Sequence, residues 1–224
     1  MLKPSIIAID GPVAAGKTTI GTLLADRLGY GFVDTGVMYR ALTWKALKLN
    51  IPFENEEELS RLASSTEIKF APTAGDSGWH QSVLVDGQDV TSEAHSLEVE
   101  AAVSLVSKVA GVRRVLVEQQ QRLAQNGRIV MAGRDIGTTV LPHAELKVYL
   151  EASVEERAKR RHLEMVERGE AVDYHAILTD LIRRDEIDSK RSISPLEAAL
   201  DAKIIDTNDL NPEQVLSRIL SLME

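Results

Sequence analysis

The sequence predicts an α/β protein with a doubly wound parallel sheet, a small inserted antiparallel β lobe and a helical lid. Short apolar runs such as Ile6–Ile9, Ile129–Met131 and Leu146–Leu150 suit buried parallel strands, and helical stretches separate them. Between Glu67 and Val90 the rhythm breaks into shorter β pieces. The length, 224 residues, holds one full core and a small inserted lobe, so residues 1–224 are expected to form one domain.

The first strand, Ile6–Ile9, runs into a loop, Asp10–Gly16, and then a helix from Lys17 to Leu28 that Gly29 ends. A strand follows at Tyr30–Val33, then a helix over Val37–Leu49 stopped by Asn50 and Pro52. Glu67–Phe70, Ser82–Val85 and Gln88–Val90 read as short strands punctuated by Pro72, Gly75, Gly78 and Asp86-Gly87. An Asp-Gly pair between two apolar runs signals a hairpin, so residues 66–92 are expected to form the inserted lobe. The alternative is a long irregular surface loop. Helices are expected near 96–108, 112–125, 153–168, 174–190 and 212–222, with a last strand at Lys203–Ile205.

Composition removes several function classes. A formal net charge of −8 disfavours nucleic acid as a partner. The absence of cysteine excludes disulfide frameworks, thiolate metal sites and Cys nucleophiles. The apolar run after Met1-Leu2-Lys3-Pro4 is too short for a signal peptide or a membrane span. A cytoplasmic protein with no membrane partner is expected.

Gly11-Pro12-Val13-Ala14-Ala15-Gly16-Lys17-Thr18 fits G-x-x-x-x-G-K-[ST] at every fixed position, between a predicted strand and a predicted helix. Glycines let several backbone N–H groups point at one anion, and the helix start adds its positive dipole end. Lys17 is expected on the β- and γ-phosphates and Thr18 on Mg²⁺. The doubly wound sheet is therefore read as a P-loop core binding a nucleoside triphosphate. A switch GTPase would need Asn-Lys-x-Asp, and Asn208-Asp209 lacks the lysine. A small-molecule kinase remains, and it needs an acceptor site.

In a doubly wound sheet, ligands gather beyond the carboxyl ends of the strands. Asp34 and Arg40 follow the second strand, and Arg134 and Asp135 follow Ile129–Met131, so both pairs are expected to face the P-loop. A guanidinium fork fits phosphate. Arg157, Arg160 and Arg161 share one helix face. They are either a solvated face paired with Glu155, Glu156 and Glu164 or a lid, about 153–172, that brings an arginine to the transferring phosphoryl group. Arg184, Asp188 and Arg191 form another stripe, which taken alone reads as a surface salt bridge.

Gly11 to Thr19, Asp34-Thr35-Gly36 through Tyr39-Arg40, Gly133 to Thr138, Arg184 to Pro195-Leu196 and Ile205-Asp206-Thr207 together resemble bacterial cytidylate kinases. The motifs fall in that family's order from residue 5 to the C-terminus, and the inserted lobe resembles its extra nucleotide-monophosphate domain. The resemblance implies ATP- and Mg²⁺-dependent phosphorylation of CMP and dCMP by a monomer. It implies that Gly11 through Thr19 hold ATP and that Lys17, Arg134 and Arg160 are catalytic. Asp34, Thr35, Tyr39 and Arg40 would line the acceptor site, with Arg40, Arg134 and Arg191 on its phosphate. Arg184 and Asp188 would contact the ribose, and Ser104, Arg113 and Asp135 the base. Cytosine offers an amino donor to Ser104 and Asp135 and two acceptors to Arg113, whereas uracil would set a carbonyl against Asp135. Two positions depart from the family: Ala132 stands where an aspartate is common, and His95 where an arginine is frequent.

Overall fold

The computed structural model describes residues 3–72 and 81–223. Five strands form a parallel sheet: β1 (Ile6–Asp10), β2 (Gly31–Asp34), β6 (Ile129–Gly133), β7 (Leu146–Glu151) and β8 (Lys203–Asp206), in the spatial order β2-β6-β1-β7-β8. The register sets Ile6 beside Ile129, Ile7 beside Leu146, and Asp34 beside Ala132, so the carboxyl ends of the strands share one edge. Strands covered on both faces have little need of polar alternation, which is why these runs are almost uniformly apolar.

Helices cover both faces. On one, Ile20 and Leu24 of α1 (Lys17–Leu28) pack with Val215, Leu216 and Ile219 of α8 (Pro212–Ser221) against Ile7, Ile9 and Val148. The other side carries α2 (Thr35–Lys48), α3 (Glu56–Ser65), α4 (Leu97–Ser107) and α5 (Ala110–Ala124), whose shared core includes Met38, Leu42, Leu59, Val106 and Leu116. Finally, α6 (Val154–Glu167) and α7 (Tyr174–Lys190) pack together beside the carboxyl edge.

Residues 66–92 contain an antiparallel sheet of β3 (Ile68–Pro72), β4 (Gln81–Val85) and β5 (Gln88–Asp89), rather than an irregular loop. Asp86 and Gly87 both have positive φ, 51° and 83°, the signature of a type I′ turn, and Lys45 pairs with Asp86 at 2.6 Å. Gly75 and Gly78, read as punctuation here, lie outside the described residues.

Three features differ from the sequence expectation. Helix α3 was not expected: Asn55 caps it by accepting from Glu58 N at 3.2 Å, and Glu56, Glu57 and Glu58 complement its dipole. Only Leu59, Leu62 and Ala63 of it are buried, too brief a pattern to stand out. Helix α2 starts at Thr35, two residues early, because Asp34 Oδ1 accepts from Gly36 N at 2.9 Å. Residues Ile136–Val140, assigned to no element from the sequence, form a π-helical turn.

Gly11 has φ +146°, and a β-carbon there would lie 2.2 Å from the Leu150 carbonyl oxygen. The loop thus rests on β7 with no room for a side chain. Gly11→Ala is expected to cost about 3 kcal/mol through overpacking and left-handed strain. A urea midpoint matching wild type would show that the loop can lift off β7 freely.

Candidate active site

The loop between β1 and α1 arches over the sheet edge, with Ala14 (φ 60°) and Gly16 (φ 90°) bending it. Lys17 Nζ donates to Pro12 O at 2.5 Å. Its desolvation, and next Arg134, lower the ammonium pKa to about 7. Thr18 Oγ1 donates to Asp34 Oδ2 at 2.7 Å, joining the loop to the β2–α2 junction. Beneath them Asp10, 3% exposed, accepts from Ile136 N and Gly137 N, each at 2.7 Å, and so orders the π-helical turn. Burial raises its carboxyl to about 6 despite those two N–H groups.

The turn sets Arg134 and Asp135 at the end of β6. Arg134 pairs with Asp188 of α7. Asp135 pairs with Arg113 of α5, whose guanidinium also donates to Ser107 O at 3.2 Å and lies 5.3 Å from the Tyr39 ring centre. Arg191 reaches Asp188 at 3.6 Å and Asp135 at 3.8 Å. Arg113, Asp135, Arg184 and Asp188 are all at most 5% exposed. The stripe on α7 is therefore no surface salt bridge.

Glu100 of α4 forms the second ionic centre, accepting from Arg40 Nε and Arg184 Nη1, each at 3.0 Å, with Arg161 at 3.7 Å. Along α6 the arginines divide between solvent-side pairs and buried ties. Arg160 pairs with Glu156 at 3.0 Å and Arg161 with Glu164 at 2.9 Å, as a solvated face would. Yet Arg160 also donates to Thr207 Oγ1 at 3.1 Å, and Arg157 is buried, donating to Val13 O at 3.1 Å and gripping Asp185 with both Nη atoms.

One cleft of about 870 Å³ joins these groups. Val13, Ala14, Gly16 through Thr19, Asp34, Thr35, Tyr39, Arg40, Ser104, Arg113, Arg134, Asp135, Arg160, Arg184, Asp188 and Arg191 all line it. Gly11, Pro12 and Ala15 do not; they form the buried back of the loop. Asp10 and Glu100 were not singled out from the sequence. Asp10 stood as the first residue of a loop, and Glu100 is one of several glutamates around 93–100 whose i, i+4 spacing from Ser104 is the only hint. His95 also lines the cleft, where burial, and next Arg40, lower its imidazole pKa. The Ala132 methyl sits in the core.

A phosphate-binding loop facing buried arginines across one cleft, on a parallel sheet of this order, defines a P-loop phosphotransferase. The cytidylate kinase family model matches residues 7–224. A cytidylate kinase of Geobacillus sp. (strain WCH70) is 49% identical, over 97% of this chain and 95% of the relative. That of Bacillus velezensis (strain DSM 23117 / BGSC 10A6 / LMG 26770 / FZB42) is 47% identical over 100% and 98%. A crystal structure of an uncharacterized protein from Eubacterium ventriosum ATCC 27560 shares the fold at a TM-score of 0.51 and 12% identity, covering 97% of each chain. The chain belongs to the cytidylate kinase family.

Proposed function

We propose that the protein transfers the γ-phosphoryl group of ATP to CMP and dCMP, giving ADP and CDP or dCDP. The strongest support is that the P-loop lysine and the arginine–aspartate clusters line the same cleft. An oxygen of the acceptor phosphate attacks the γ-phosphorus as its bond to the β–γ bridging oxygen breaks, so no strong general base is required. Lys17, Arg134 and Arg160 offset the charge of the transferring group. Arg40, Arg134 and Arg191 grip the acceptor phosphate, Arg184 and Asp188 the sugar, and Ser104, Arg113 and Asp135 the cytosine. Asp34, Thr35 and Tyr39 complete the wall, and Gly11 through Thr19 hold ATP.

Among the described residues no three His, Cys, Asp or Glu side chains group as a metal site. The paired Thr18 hydroxyl and Asp34 carboxylate are hard oxygen donors that suit Mg²⁺ shared with nucleotide phosphates. When bound, Mg²⁺ neutralises phosphate charge. In this reading residues 66–92 serve as the acceptor lobe of a single domain, 1–224, and 153–172 as the lid. The same reading takes the protein as a cytoplasmic monomer without nucleic acid or membrane partners.

ADP release from ATP and Mg²⁺, measured with CMP, dCMP, UMP, AMP and GMP in turn, tests the assignment. Turnover confined to CMP and dCMP is expected, and turnover with none of the five would sink the acceptor assignment. In the same assay Arg160→Ala should lower kcat by about 10²-fold. An unchanged kcat would leave Arg160 as no more than a brace to Thr207.

A further inference from the structure

Glu100 has no part in the transfer as written above, yet it sits inside the cleft. It lies on α4 one turn before Ser104, with its side chain 12% exposed. Its partners come from three elements: Arg40 from α2, Arg161 from α6 and Arg184 from α7. Burial alone would push the carboxyl up, but Arg40, Arg184 and Arg161 outweigh it and hold the pKa at about 2. Glu100 is therefore ionised throughout the neutral range.

A fixed negative charge in a pocket for phosphate opposes binding, so its effect on the arginines has to outweigh that repulsion. Glu100 Oε1 engages Arg40 through Nε alone. Among the described residues neither Nη of Arg40 makes a hydrogen bond, and Nη1 packs over Gly36, 3.0 Å from where a β-carbon would stand. The guanidinium is thus held from behind with its outer edge uncommitted. Without the carboxylate, Arg161 would keep Glu164 and Arg184 would keep Asp180 at 3.6 Å, but Arg40 would lose its ion pair and the three guanidinium groups would repel one another across the vacated centre.

We infer that Glu100 is a positioning residue for the acceptor, orienting Arg40 and Arg184 toward the phosphate and sugar and docking Arg161 of α6 onto α4. This role rests on the acceptor being a nucleoside monophosphate, as proposed above. It differs from that of the aspartates Asp135 and Asp188, because Glu100 acts only through other side chains.

The test compares wild type, Glu100→Ala and Glu100→Gln, with CMP and ATP varied separately and melting followed by circular dichroism. Glu100→Ala is expected to raise the KM for CMP by about tenfold or more, since a displacement near 1 Å is enough for such losses, while the KM for ATP stays within about twofold. Glu100→Gln, whose amide oxygen still accepts from one guanidinium, should recover part of the loss. A CMP KM unchanged in both variants would overturn the role. So would a lower CMP KM, which would make Glu100 merely a competitor of phosphate, or an equal rise in both KM values. If Glu100→Ala does not fold, the isosteric Glu100→Gln decides alone, with a rise of about threefold or more expected for CMP only. Wild type that releases no ADP with any monophosphate would overturn the proposed function and this role with it. Normal wild-type turnover with unmoved variants overturns the role of Glu100 alone.

Discussion

Lys17→Met should reduce kcat/KM by about 10³-fold, the loss expected when a preorganised charge is removed from a transferring group. The side chain spans the loop to Pro12 O and lies near Arg134, Asp34 and Asp10. A nonpolar replacement of similar length keeps the packing and removes the charge together with the hydrogen bond to Pro12 O. The same residue predicts a pH dependence. In the free protein its pKa is lowered from 10.5 to about 7, so above that pH the amine is mostly neutral. Nucleotide phosphates favour the charged form, so binding above pH 7 takes up a proton and ATP affinity falls as pH rises, by at most about tenfold per unit. Calorimetry in buffers of different ionisation enthalpy would read that proton directly. Lys17→Arg should abolish the uptake, because a guanidinium stays charged. Equal proton uptake in wild type and Lys17→Arg would assign the titration elsewhere.

The largest stability effect is expected at Asp135. Its carboxylate compensates Arg113, 2% exposed, and lies 3.8 Å from Arg191. Asp135→Ala leaves a buried guanidinium without its counter-ion, which costs about 3–5 kcal/mol. For a chain of this size that corresponds to a melting temperature lower by about 10 °C. Asp135→Asn, which keeps an acceptor oxygen, should lose less. If Asp135 accepts the cytosine amino proton as proposed, both variants should narrow the preference for CMP over UMP. A melting shift under about 2 °C for Asp135→Ala would mean that Ser107 O and the Tyr39 ring suffice to anchor Arg113.

The parallel strands were legible because both their faces are buried, leaving near-continuous apolar runs. The phosphate loop was legible because its chemistry is local: glycines, a lysine and a hydroxyl at fixed spacing. The pairings inside the cleft were not. Arg184 and Asp188 sit at i, i+4, the spacing of a helical ion pair, yet each takes a partner from another element, Glu100 and Arg134. Arg157 read as one of three arginines on a solvated face or a lid, and is a buried tie between α6 and the P-loop. Sequence spacing reports neighbours along a helix but not across the fold. Asp10 and Glu100 escaped for the same reason, since their partners lie 126 and 60 residues away.

The sheet order also bears on how the chain is made. Central strand β1 lies between β6 and β7, and β2 pairs with β6 alone. The first 128 residues thus include two strands of this sheet that never touch each other. As the polypeptide leaves the ribosome, Ile6–Asp10 must wait for more than a hundred further residues before either neighbour exists. Such long-range closure slows folding and leaves an apolar edge open to wrong partners. The nucleotide loop hangs from that waiting strand, so the nascent chain gains its phosphate site only when the second half of the sheet arrives.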